Sequence, residues 1–213
     1  MSALWGWASL GLLGAYHGLN PGMGWLFAVA LGMQERSGRA VMAALPPIAL
    51  GHAISIALTV GALALGYLTV SPILLKWLVA ALLVAFGIWK LIRPRHPRWV
   101  GMRVTSADLV LWSFLMATAH GAGLMLLPIF LIGSGAAVAG AGHVHGATGP
   151  WLTGWPDYVA AVGVHTLAML VVSAAIALVV YYKLGLALLR RAWLNLDRVW
   201  ALALISAGAL AVA

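Results

Sequence analysis

Four histidines lie in long apolar stretches, where titratable side chains are uncommon. Each falls near the centre of a different stretch: His17, His52, His120 and His165. Neutral imidazole is a common ligand of Zn, Ni, Co and Cu ions. A polar ring at membrane depth normally faces the protein interior or an aqueous cavity. The pattern predicts one shared metal site, although any single histidine would also fit a hydrogen-bonded packing role.

Polar and helix-breaking residues accompany these histidines. Asn20-Pro21 follows His17 by one helical turn, and a proline inside a span removes a helical hydrogen bond and exposes backbone carbonyls. A simple kink without substrate contact is the alternative at Asn20-Pro21. We expect Pro46-Pro47 and Pro128 to extend the pattern of interrupted helices. The residues predicted to line a substrate path are Asn20, Pro21, Ser55, Thr118 and Thr166.

A second histidine motif lies in a Gly/Ala-rich tract at residues 140–147. His143 and His145 form a His-X-His pair there, and such a pair in a flexible segment can collect metal ions weakly. We predict a metal-capture loop, with a merely solvated loop as the alternative.

The composition indicates an all-α integral membrane protein. Of the 213 residues, 64% are hydrophobic and 8% are charged, whereas soluble domains carry roughly 25% charged residues. Asp, Glu, Lys and Arg are absent from four stretches: 1–34, 40–75, 109–156 and 158–182. Each exceeds the ~20 residues that span a bilayer. The chain has no cysteine, which excludes disulfides and thiolate ligands.

Turn residues and apolar runs predict six transmembrane helices in a single membrane domain, 1–213. The predicted spans are 6–32, 41–67, 72–92, 106–133, 156–182 and 196–213. In this arrangement eleven of the twelve basic residues fall on one side of the membrane. Because basic loops stay in the cytoplasm, we expect the loops 33–40, 93–105 and 183–195 to be cytoplasmic. Both termini are then extracytoplasmic, in what we expect to be a bacterial inner (plasma) membrane.

The two halves of the chain resemble each other. Residues 12–18 are similar to residues 115–121, and residues 48–52 are similar to residues 161–165, so that the four histidines match in two pairs. Three helices per half place the second half in the opposite orientation. We predict a 3+3 inverted repeat, with repeat 1 at 1–92, a cytoplasmic linker at 93–105 and repeat 2 at 106–213.

The chain resembles the lysine-exporter superfamily, specifically its nickel/cobalt efflux and urease-accessory-type branch. The resemblance is carried by the six spans in two halves, His17-Gly18-Leu19-Asn20-Pro21, Gly51-His52 and His120-Gly121, together with the histidine-bearing loop. It implies a membrane exporter of transition-metal cations. The same superfamily also moves amino acids and other small solutes.

These features predict a secondary transporter that exports a divalent cation (Ni, Co, Zn or Cu) through the four histidines, and not an enzyme. No P-loop sequence, which would indicate ATP-driven transport, is present.

We expect no permanently bound cofactor; the partners are the bilayer, the metal cation and a possible second copy of the chain. The net charge of +8 is explained by basic residues in the cytoplasmic loops, so we expect no nucleic-acid partner. Two alternatives remain: a haem-binding or electron-transfer membrane protein, and a non-catalytic subunit or transporter of a small organic solute.

Overall fold

The computed structural model describes residues 2–92, 104–134, 150–184 and 196–212, and those residues fold into helices joined by short connections. Their bounds, in chain order, are α1 (Ala3–Leu19), a 3₁₀ turn (Pro21–Met23), α2 (Trp25–Gln34), α3 (Gly38–Thr69), α4 (Pro72–Ile92), α5 (Ser106–His120), α6 (Ala122–Gly133), α7 (Trp155–Val179), a π-helical turn (Val180–Leu184) and α8 (Leu196–Val212). The predicted all-α class is confirmed for the described residues.

Several of these helices are long and apolar enough to cross a bilayer. Three qualify by themselves: Gly38–Gly66, Pro72–Trp89 and Trp155–Lys183. The pair α5 and α6 qualifies when its two parts are taken together, although they are bent by 62°. Many large apolar side chains on the outer faces are exposed, including Leu58, Leu65 and Leu167. These features are compatible with an integral membrane protein.

The first helical stretch is broken after His17, as Asn20-Pro21 predicts. Asn20 adopts an extended backbone conformation, which a following proline favours for steric reasons. Pro21 then begins the 3₁₀ turn, and the Asn20 side chain accepts a hydrogen bond from the Gly22 N–H at 2.9 Å. Gly24, with φ of 119°, redirects the chain into α2. A left-handed backbone of this kind favours glycine because glycine has no Cβ.

A second break separates α5 from α6 at Gly121, where φ is 72°. The sequence predicts an interruption at Pro128, but that residue lies inside α6, which continues through it. Likewise, Pro46 and Pro47 lie inside the continuous helix α3. Helices in membranes tolerate proline when neighbouring groups satisfy the backbone, so the glycine after His120 was the better signal.

The helices pack chiefly in three pairs: α1 with α7, α3 with α5, and α4 with α8. The first two pairs approach closely at glycines. A Cβ at Gly14 of α1 would overlap the His165 carbonyl oxygen of α7, and a Cβ at Gly51 of α3 would overlap the Val110 carbonyl oxygen of α5. Small residues let helix backbones approach and gain van der Waals contact where no water drives association. Helices α3 and α7 also contact each other.

The two ends of the bundle are built from different segments. At one end, Val104 and Tyr181 pack against an apolar cluster that includes Val29 and Val41, so the starts of α3 and α5 lie near the end of α7. At the other end, the Trp7 and Trp151 rings lie 5.4 Å apart. The backbone N–H of Trp151 there donates to the Gly133 carbonyl at the end of α6.

We expect Gly51→Ala to destabilise the fold, because the added methyl group would collide with the backbone of α5. Overpacking of this kind costs about 1–3 kcal/mol. Gly61→Ala is the matched control on the same helix, since a Cβ at Gly61 has no neighbour within 4 Å. Thermal unfolding of both variants in detergent measures the difference. Equal midpoints for the two variants would contradict close α3–α5 packing.

Candidate functional site

Three of the four predicted histidines meet in the interior of the bundle. The ring centre of His17 lies 5.4 Å from that of His52 and 4.8 Å from that of His165, in both cases edge to face. The ring centres of His52 and His165 are 5.6 Å apart. All three residues are completely buried. We call His17, His52 and His165 the histidine cluster.

Backbone carbonyls of α1 hold two rings of the cluster. His17 Nδ1 lies 2.7 Å from the Leu13 oxygen, and His165 Nδ1 lies 3.2 Å from the Leu10 oxygen. A carbonyl oxygen can only accept, so both rings donate through Nδ1–H. Neutral rings fixed in this way carry their lone pair on Nε2. A histidine that ligates a metal through Nε2 usually anchors its other N–H in the same manner.

His52 and His165 meet head to head. Their Nε2 atoms are 3.4 Å apart and their ring planes differ by 7°. The 5.6 Å between ring centres is almost the sum of that gap and the two ring radii, so each Nε2 points at the other. Since neutral His165 has its proton on Nδ1, His52 donates through Nε2–H. The lone pair of neutral His52 is then on Nδ1, which is buried and has no hydrogen-bond partner among the described residues.

The fourth histidine, His120, lies beside the break in the first helical stretch. Its Nδ1 is 2.8 Å from the Met116 oxygen, so it too donates through Nδ1–H. Its Cε1 atom would be 3.5 Å from a Cβ at Gly22 in the 3₁₀ turn, and that turn begins four residues after His17. The break therefore brings His120 and the cluster into one region of the interior.

As they stand, the rings do not form a finished metal site. Among the described residues, no group of three or more His, Cys, Asp or Glu side chains is arranged to hold a metal ion. The head-to-head contact is one physical reason. Nitrogen atoms that share a tetrahedral ion direct their lone pairs to a common point ~2.0–2.1 Å away, whereas His52 and His165 direct Nε2 at each other. Metal binding would require the His52 ring to turn or its proton to move.

Two predicted path residues contact each other. Ser55 Oγ and Thr118 Oγ1 are 2.9 Å apart, and Thr118 also donates to the Phe114 oxygen. With Thr59, these hydroxyl groups line a groove of about 460 Å³ that is otherwise apolar and lies between α3, α4, α5 and α6. Ser55 is buried, but Thr118 is exposed. The Thr118 end of this contact therefore lies at the outer surface of the bundle.

The remaining path residues are Asn20, Pro21 and Thr166. Asn20 is 4% exposed and Pro21 begins the 3₁₀ turn. The Asn20 backbone N–H donates to the His17 backbone carbonyl at 3.1 Å. The Thr166 hydroxyl is buried and has no hydrogen-bond partner among the described residues. The predicted capture residues His143 and His145 lie outside the described residues.

Two residues that the sequence analysis missed satisfy the carbonyls released by the break. Ser173 of α7 donates to the Gly18 carbonyl at 3.3 Å, and the Trp25 indole donates to the Leu19 carbonyl at 3.2 Å. Ser173 stands two turns after His165 on α7, and this spacing on one helix face was the available signal.

The described interior around the cluster contains polar side chains but no formal charge. The buried polar residues in the described ranges are His17, Asn20, His52, Ser55, Ser113, His120, His165 and Ser173. A cation held there would keep its charge in a medium of low dielectric constant, where charge is costly.

No protein-family model, curated protein or solved structure matches this chain. Membership of the lysine-exporter superfamily therefore stays a prediction from the sequence motifs.

The hydrogen-bond pattern predicts the tautomer of each neutral histidine. We expect His17, His120 and His165 to carry the proton on Nδ1, and His52 to carry it on Nε2. Solid-state ¹⁵N NMR of the protein in lipid bilayers distinguishes the two tautomers, with single His→Gln variants for assignment. An Nε2–H tautomer at His165 would contradict its bond to Leu10 and the head-to-head donor that we assign to His52.

Proposed function

We propose that this chain is a secondary transporter that exports a divalent transition-metal cation through the histidine cluster and His120. The observation that carries the proposal is the burial of three imidazole rings in mutual contact, with His120 beside them. Burial of a polar ring in an apolar bundle is unfavourable unless its nitrogen atoms form hydrogen bonds or the ring has a functional role. A lone packing histidine needs only one hydrogen-bond partner, and that does not account for three rings in contact.

The proposal includes six membrane spans arranged as an inverted repeat. Each predicted half begins with a broken helix, α1–α2 and α5–α6, and each break follows a histidine. The first helix of each half packs on the long helix of the other half: α1 on α7, and α5 on α3. The last helices, α4 and α8, pack on each other. This exchange of partners is what a pseudo-twofold axis would produce, with the histidines near it.

The basic residues support an orientation with the α2–α3 turn in the cytoplasm. Arg36 and Arg39 lie in or next to that turn, and Lys183 follows Tyr181 at the same end of the bundle. Basic loops are retained on the cytoplasmic side. We propose that both termini lie on the opposite side of a bacterial inner membrane.

The packing of the rings argues against the haem alternative. A haem held between two axial histidines needs a flat slot for its macrocycle. Next to His52 and His165 that space contains the His17 ring, which is in edge-to-face contact with both. The groove lined by Ser55 and Thr118 leaves an organic solute as the second candidate, because it combines about 460 Å³ of largely apolar space with hydroxyl groups.

A strain that lacks this protein should become sensitive to at least one of Ni, Co, Zn and Cu. We expect the wild-type gene to restore growth and His17→Ala to fail, because the variant removes a ring at the centre of the cluster. The measurement is growth against metal concentration, together with the metal content of the cells. His96→Ala, a histidine in the predicted cytoplasmic linker, is the matched control and should complement fully.

Two results would contradict the metal proposal. One is a deletion strain that no metal distinguishes from wild type, which would favour the organic solute. The other is full complementation by His17→Ala at wild-type protein levels, which would leave the cluster with a packing role only.

A further inference from the structure

Asn20 presents a hydrogen-bond donor that the protein does not use. Its Oδ1 atom accepts from the Gly22 N–H at 2.9 Å, which fixes the orientation of the amide. Its Nδ2 atom is buried and has no hydrogen-bond partner among the described residues. An unsatisfied buried donor is destabilising, so an acceptor that binds here from outside the chain gains a favourable hydrogen bond.

The position of Asn20 connects this donor to the histidines. A Cβ placed at Gly22 would lie 3.2 Å from Asn20 Oδ1 and 3.5 Å from His120 Cε1. The side-chain oxygen of Asn20 is therefore less than about 7 Å from His120 Cε1. The backbone N–H of Asn20 donates to the His17 carbonyl, so the residue stands one helical turn after a ring of the histidine cluster.

The charge balance of the site indicates which kind of acceptor belongs there. The buried polar side chains in the described ranges are all uncharged groups. A divalent cation on neutral imidazoles would keep a charge of +2 in an apolar interior. A water molecule would satisfy the amide but would leave that charge unchanged, whereas an anion would satisfy the amide and also halve the charge.

We propose that Asn20 binds a small monovalent anion that enters with the metal cation and completes its coordination. The Asn20 Nδ2–H donates to the anion, the anion contacts the metal, and the imidazoles supply the other ligands. The cargo is then a singly charged metal–anion pair. This inference rests on the proposed metal transport and adds a site to it.

The test is metal binding by the purified full-length protein, measured by calorimetry with Zn²⁺ at constant pH and ionic strength. The salt is either chloride or methanesulfonate, which coordinates metals weakly. We expect wild-type protein to bind Zn²⁺ about tenfold or more tightly in chloride, the effect of one hydrogen bond to a charged group. Asn20→Leu should bind equally weakly in both salts.

Asn20→Asp provides the decisive variant, because the carboxylate is almost isosteric with the amide and carries the missing charge itself. We expect it to bind Zn²⁺ more tightly than wild type in methanesulfonate and to lose the preference for chloride. Ser173→Ala is the matched control: it removes a buried polar group at the same helix break whose donor is already used by Gly18. It should keep the chloride preference of wild type.

The outcomes separate this inference from the proposed function. Equal Zn²⁺ affinity of wild type in the two salts would overturn the anion site and leave metal transport intact, with a water molecule as the partner of Asn20. Tighter binding in chloride that persists in Asn20→Leu would place the anion elsewhere and would also overturn it. If wild type binds no Zn²⁺, Ni²⁺, Co²⁺ or Cu²⁺ in either salt, the metal proposal fails and this inference fails with it.

Discussion

The rest of the structure depends on keeping three imidazole rings in contact inside an apolar bundle. Burial of a polar ring is unfavourable unless its nitrogen atoms find partners. The Leu10 and Leu13 carbonyls of α1 supply those partners for His165 and His17, and His165 supplies one for His52. Close packing at Gly14 brings the backbone of α7 against α1. The cluster therefore depends on the close approach of the α1 and α7 backbones.

The helix breaks add a second level of organisation. Asn20 and Pro21 end α1 one turn after His17, and Gly121 ends α5 directly after His120. Each break turns the chain where a histidine stands, so a change in either break would alter the position of a ring. Ser173 and Trp25 satisfy carbonyls at the first break, which allows the interruption to exist in an apolar environment.

The sequence predicted the elements better than their contacts. Apolar length and turn residues located the helices, and the interruption at Asn20-Pro21 was identified because proline cannot donate a helical hydrogen bond and favours an extended residue before it. The same signal was misleading at Pro46-Pro47 and Pro128, which lie inside continuous helices. The break at Gly121 was missed, since glycine inside an apolar run carries no obligatory signal. The gathering of His17, His52 and His165 was predicted from their depth, but the head-to-head contact depends on helix rotation, which a nearly uniform apolar pattern does not encode. The exposed position of Thr118 depends on helix rotation in the same way.

The central claim is that a divalent cation binds to these imidazoles, and X-ray absorption at the metal edge tests it most directly. For purified protein loaded with one equivalent of Ni²⁺ or Zn²⁺, the account predicts at least three histidine nitrogen ligands at about 2.0–2.1 Å. It also predicts that replacement of His17 by alanine removes one of them. A metal surrounded only by water or other oxygen ligands, unchanged by that replacement, would contradict the claim.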